Sequence, residues 1–317
     1  MTANNPQLPW TDEQWARVNQ VIQEEASRAR VAATFLSMVG PLPGGTDFVR
    51  RELISYPGLA VTQRPPRRRI AIDDRNIWQL ATLQVKVRLR GAQIADPEMT
   101  SAMALFRRAA NVVARLEDAV VFRGLRPDPV FPGHFRPRGG VPGLQRIWEI
   151  TGVQYNSDGL WMPPWLWTLP RRRRRWIVIP GYPRPRRGEF LVRAVSEAIG
   201  RLESSGHFGP FAVVLDQGLF LVAQSPDRRS LVLPQDRIIP FLGGGPLLRS
   251  STLDHRHIFT GLVMALGGAP FELVVATDMC LQFLQVTADP VFLFRVRERM
   301  ALRIKEPEAI IELFMWP

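Results

Sequence analysis

The chain has 317 residues, 46% of them hydrophobic, and a net charge of +12 that is carried almost wholly by arginine, Lys86 and Lys305 being its lysines. That length and apolar content suffice for one large or two ordinary domains with real cores, and they exclude a disordered or fibrous chain. The lone Cys280 excludes a disulfide framework and a thiolate metal cage, and no uninterrupted apolar run reaches the ~18 residues of a membrane span. Met1 to Trp10 lacks the basic and apolar regions of a secretory signal, so a soluble, cytoplasmic protein is expected, with no membrane partner. The arginine excess suits carboxylate or phosphate partners, and it is also what a GC-rich genome encodes.

In chain order, Thr11 is placed to cap a helix whose Trp15, Val18, Ile22, Ala26 and Ala29 share one face. Gly40 to Gly45 breaks it, so that the helix can pack beside the main core. From Phe48 to Arg90 the signals are those of strands: Leu59 to Gln63, Ile70 to Asp73, and the alternation of Leu83, Val85, Val87 and Leu89 against Gln84, Lys86, Arg88 and Arg90. The stretch reads as an extended two-stranded arm. Such an arm has too little core to stand alone, which predicts a partner on another subunit, with Arg67, Arg68 and Arg69 either contact residues or solvated.

Asp96 to Gly124 reads as a spine: one long helix with Asp96 as N-cap, Pro97 in the first helical position and Gly124 as the stop. Met99, Met103, Phe106, Ala110, Val113 and Val120 repeat at helical spacing beside a second apolar row, leaving Arg108, Asn111, Arg115 and Asp118 as a polar stripe. A helix of roughly 26 residues spans about 40 Å and needs a sheet to pack against. An irregular region follows, in which Trp161, Trp165, Trp167 and Trp176 flank Arg171 to Arg175. It reads as an arginine-fringed loop tied down by its own tryptophans, with anion or nucleic-acid contact as the other use of that chemistry. Phe190 to Ser204 is an amphipathic helix, Phe211 to Leu215 a buried strand, and Leu219 to Ala223 the start of a further helix. The last third reads as a meander of strands at Ile258–Leu266, Phe271–Thr277, Leu281–Val286, Val291–Val296 and Ala301–Ile304, supplying the sheet for the spine.

Three collinear stretches resemble the encapsulins, the linocin-type shell proteins of bacterial nanocompartments, which use the tailed-phage capsid fold. They are Leu8 to Glu25 with the turn at Val39-Gly40-Pro41; Leu116-Glu117-Asp118 through Phe122 to Gly124; and Ala194 to Ile199 with Gly209 to Leu215 and Gly267-Gly268-Ala269-Pro270-Phe271-Glu272-Leu273. The departures are an insertion near 156–187 and the lack of an Asp after Gly268. The resemblance implies an α+β chain with the phage major capsid (Hong Kong 97-type) fold. Its divisions would be an N-terminal luminal helix segment over 1–46, an extended loop over 47–90, a peripheral domain over 91–124 and 250–317, and an axial domain over 125–249. It further implies a closed icosahedral homo-oligomer, an encapsulin nanocompartment, whose heterologous contacts close instead of running on as a filament. Small solutes would enter by pores, and a cargo protein would dock by a terminal targeting peptide on the luminal helix near Trp15, Val18 and Ile22, residues that could equally be packed inward.

No enzymatic chemistry is expected, and no cofactor or metal. His255 and His257 at i and i+2 give two ligands of the four that a zinc site needs. Glu117 and Asp118 diverge on a helix, and Asp118 is expected to meet Arg115. The rival readings are a phage or prophage major capsid protein, an arginine-rich nucleic-acid-binding protein centred on Trp161 to Trp176, and a metal-dependent enzyme on the two histidines.

Overall fold

The computed structural model describes residues 10–55, 71–141, 144, 147–154, 156–161, 175–182, 186–226, 232–255, 257–287, 289 and 291–316. Leu59 to Gln63, Arg67, Arg68, Arg69 and the centre of the Trp/Arg stretch lie outside the described residues.

Helix α1 (Asp12–Ala29) begins at a reciprocal cap: Thr11 Oγ accepts the Gln14 amide while the Gln14 side chain accepts the Thr11 amide. Val18, Ile22 and Ala26, the i, i+4, i+8 seam, are completely buried. They face helix α3 (Thr100–Arg123), the predicted spine. The short helix α2 (Gly91–Ile94) precedes it. The spine starts three residues later than its sequence signals suggest, with Met99 in the N-cap place expected for Asp96. Asp96 does cap, but as a tight turn whose carboxylate accepts the Glu98 and Thr100 amides, and Met99 sits in the left-handed region at φ 53°, which a helix cannot continue through. The C-terminal stop stands: Gly124 has φ 69°, and a Cβ there would lie 2.3 Å from the Ser157 carbonyl oxygen.

The spine packs on a five-stranded sheet ordered β1 (Ser37–Val39), β15 (Phe271–Val286), β16 (Val291–Ile304), β6 (Ala81–Arg90) and β9 (Trp148–Thr151). Here β6 corrects the reading of Phe48 to Arg90 as one arm. Its alternation is real, but it pairs with β16 over its whole length, because Leu83, Val85, Val87 and Leu89 bury under the spine. Thr277-Asp278 does not separate two strands. It is a register shift within β15, and β16 likewise runs unbroken from Val291 to Ile304.

The arm is therefore shorter, with β2 (Phe48–Arg50) against β5 (Ile77–Gln79) and β3 (Leu53–Ser55) against β4 (Ala71–Asp73). A three-stranded patch of β7 (Gly124–Pro127), β8 (Phe135–Pro137) and β10 (Ser157–Asp158) follows the spine. The second five-stranded sheet has the order β11 (Arg175–Ile179), β17 (Ile310–Met315), β14 (Phe259–Ala265), β12 (Phe211–Leu215) and β13 (Leu247–Arg249), with α4 (Arg187–Glu203), α5 (Gln217–Gln224) and α6 (Pro234–Ile238) beside it. Two strands of 250–317 thus lie outside the meander under the spine: β14 is central in this second sheet, that of the expected axial domain, and β17, buried along its whole length around Glu312, lies between β11 and β14.

Candidate assembly and docking surfaces

The arm is rooted by charge. Arg303 Nη1 lies 2.7 Å from Glu52 while its other nitrogens hold Glu272, Lys305 joins the same carboxylate, and Arg299 pairs with Asp47. The Ile54 amide donates to the Lys305 carbonyl, and Arg51 lies over the Trp78 ring at 5.6 Å. Beyond that root the arm shows apolar surface: Phe48, Ile72 and Ile77 are 49%, 61% and 64% exposed. Three large apolar side chains of this short, strand-paired arm thus stand in water in a single subunit. The edge strand β11 of the axial sheet behaves similarly, since Ile177 and Ile179 are buried while Trp176 and Val178 on the opposite face are exposed.

Around α1 the sequence-predicted docking residues separate. Trp15 keeps part of its surface, edge-on to Trp10 at 5.1 Å in a cluster where Phe294 stacks on Trp10 at 5.2 Å and meets Phe106 and Phe283 at 5.5 and 5.3 Å. Val18 and Ile22 are fully buried against the spine, so neither offers surface to a peptide on this fold. The seam that makes a helix amphipathic is the seam it uses to dock on its own domain.

The end of α1 carries the group that sequence reasoning missed. Arg30 is buried, with Nε 2.7 Å from Glu117, and Nη2 2.7 Å from Glu298 and 3.1 Å from Asp278. Glu117 and Asp118, adjacent on the spine, do diverge, but Asp118 accepts the Val31 and Ala32 amides at 2.8–3.1 Å, which corrects the polar-stripe placement. Burial pushes the Glu117 carboxyl up to about 7 against the pull of Arg30, and burial together with Glu117 raises Glu298 well above the usual carboxylate range. Burial likewise carries Asp118 to about 7, opposed by its two amides. The partners lie 86 and more residues apart, and the resemblance at Leu116 to Gly124 was the one signal that marked the pair.

The spine's far end is tied to the axial half. Arg123 donates to the Thr252 and Asp254 carbonyls and lies 5.8 Å from the Trp161 ring. His255 and His257 have ring centroids 6.4 Å apart, and His255 is lowered by burial and by Arg123. Among the described residues no three His, Cys, Asp or Glu side chains are arranged to hold a metal ion, so the pair gains no further ligand. Nor is any described helix long and apolar enough to cross a membrane.

The linocin M18 family model, described as encapsulating protein for peroxidase, matches residues 2–130 and 181–301. The chain belongs to the encapsulin family. It is 26% identical over 313 residues to the Type 1 encapsulin shell protein EncA of Myxococcus xanthus (strain DK1622), covering 96% of this chain and 93% of that one. Among solved structures, a virus-like particle from Pyrococcus furiosus superposes with a TM-score of 0.57 at 13% identity over 95% of this chain and 99% of the other. The capsid of Myoviridae phage XM1 gives 0.55 at 10% identity over 89% and 90%. The α+β capsid fold is thus shared with phage capsids, and this encapsulin is a self-assembling shell protein. The family model passes over 131–180, a span that contains most of the stretch read as an insertion.

Proposed function

We propose that this encapsulin closes into an icosahedral nanocompartment that encloses a cargo protein and admits small solutes through pores. The observation that carries the reading is the arm: two hairpin pairs, rooted by Glu52–Arg303 and Asp47–Arg299, that hold Phe48, Ile72 and Ile77 in solvent within one subunit. Burying those side chains on a neighbour is the favourable term, and repetition of one heterologous contact builds a shell. Arg67, Arg68 and Arg69, from the same arm, are assigned to the contact with that neighbour. A family model described as encapsulating protein for peroxidase and a relative described as an encapsulin shell protein support enclosure of a cargo. The cargo's terminal peptide is assigned to the surface beside Trp15, the one of the three expected docking residues with surface to give. The work is done by self-association, and no residue is given a catalytic role. Compared with the phage-capsid reading, which the fold shares, the family match over both halves of the chain favours the nanocompartment.

Light scattering after size exclusion, with negative-stain microscopy of the same peak, tests the proposal. A megadalton peak of uniform round shells is the expected result. A peak at the mass of one chain that persists across salt and pH would overturn it. For cargo, Trp15→Asp should leave the particles intact and empty them of co-expressed cargo; unchanged loading would remove the docking assignment.

A further inference from the structure

The buried carboxylates of the spine have no part in assembly as described above, yet their geometry is chemically restrictive. Glu117 and Glu298 are both completely buried, and the Arg30 guanidinium bridges them, with Nε 2.7 Å from Glu117 and Nη2 2.7 Å from Glu298. Two fully buried carboxylates against one cation leave a negative charge without a counter-charge, and a proton on one of them removes it. Among the described residues no donor meets Glu298 Oε2 or Glu117 Oε1, which leaves those oxygens open to such a proton. The charges that face the pair come from four elements: Arg30 after α1, Asp118 on the spine, Asp278 on β15, and Glu298 itself on β16, whose register neighbour on β6 is the uncharged Leu83. One guanidinium therefore stands against four carboxylates, of which Asp118 is held by two amides and Asp278 is half-exposed.

We propose that Arg30, Glu117 and Glu298 form a proton-operated latch: with one of the two glutamates protonated it clamps the C-terminal end of α1 to the spine and to β16, and loss of that proton releases α1. The direction follows from linkage. Both glutamates are raised by burial, Glu117 to about 7, so the closed latch holds at least one proton more than the open one between the ordinary carboxylate value of 4.5 and about 7. Closure is fully favoured below that window and is lost as pH rises through it. The inference goes beyond the nanocompartment reading and stands whichever face α1 presents to a cargo. It gives the particle an inner or outer helix whose attachment weakens from mildly acid to mildly alkaline conditions while the sheet beneath stays folded.

The test is hydrogen exchange on the assembled particle from pH 5 to 9, with rates normalised to intrinsic exchange, reading peptides that cover α1 and, as an internal control, α4 in the axial half. Protection of α1 is expected to fall about tenfold per pH unit per proton released across the window while α4 stays level. Glu298→Gln, whose amide donates to Glu117 and whose oxygen accepts from Arg30 without titrating, should cut the pH dependence of α1 protection to the part that Asp118 contributes. Equal pH dependence of α1 and α4, or an unchanged slope in Glu298→Gln, would overturn the latch. If Glu298→Gln does not assemble, Glu117→Gln serves the same purpose, and the wild-type comparison of α1 with α4 decides by itself.

Discussion

Replacing both Ile72 and Ile77 by Asp should abolish or sharply weaken assembly without touching the subunit's fold. In one chain the two side chains are 61% and 64% exposed, so the single subunit loses almost nothing when they change. Full burial of an isoleucine contributes about 1.5–3 kcal/mol, and covering the exposed three-fifths of each in a shell contact therefore contributes about 1–2 kcal/mol, or ~2–4 for the pair. At 1.4 kcal/mol per tenfold, that is a roughly 30- to 1,000-fold loss in the association constant of each contact, before the cost of desolvating two carboxylates is added. Every subunit repeats the contact, so the concentration at which particles form should move by at least this factor. Sedimentation velocity over a concentration series reads the particle fraction, and circular dichroism of the unassembled material reads the fold. Particles forming over the same concentration range as the parent would show that these faces stay in solvent and would refute the role given to the arm.

Arg30→Ala should lower the stability of the shell by about 3–5 kcal/mol, because it leaves two buried glutamates without their cation; the thermal unfolding midpoint of purified particles checks it. Ile22→Ala, which deletes a fully buried side chain from the seam between α1 and the spine, should cost about 2–5 kcal/mol in the same assay. Gly124→Ala is expected to prevent recovery of soluble particles, since the position needs φ 69° and the new methyl group would meet the Ser157–Gly159 backbone at 2.3–2.8 Å. Thr11→Ala should be mild, about 1 kcal/mol, and should appear as faster exchange in the first turn of α1 alone.

Much of the fold was legible because the local signals here agree with the structure they form. Thr11 with Gln14, the seam of Val18, Ile22 and Ala26, and Gly124 are chemical statements about where helices start, face and stop, and each stands in the structure. What was not legible is pairing. The alternation of Leu83, Val85, Val87 and Leu89 says that one face is buried, but nothing within ten residues says that the partner is β16 more than two hundred positions on. The same limit hid β17, whose Ile310 to Met315 is buried on both faces and so has no period to read. Glu117 and Asp118 show it most plainly: a carboxylate beside a carboxylate on a helix looks like surface until Arg30 and Glu298 arrive from elsewhere in the chain. The arm was legible as an incomplete element, while its basic tip at Arg67 to Arg69 lies outside the described residues.

Strand β17 stands between the edge strand β11 and the central strand β14 of the axial sheet, although every other strand of that sheet precedes it in the chain. Without it β11 has no neighbour and β14 has a bare edge. During synthesis, then, the axial sheet stays incomplete until β17 has been made, and the peripheral sheet waits for β15 and β16 in the same way, with only β9 beside β6 until then. Both sheets of a subunit are therefore completed late in its synthesis, long after the exposed arm has been made.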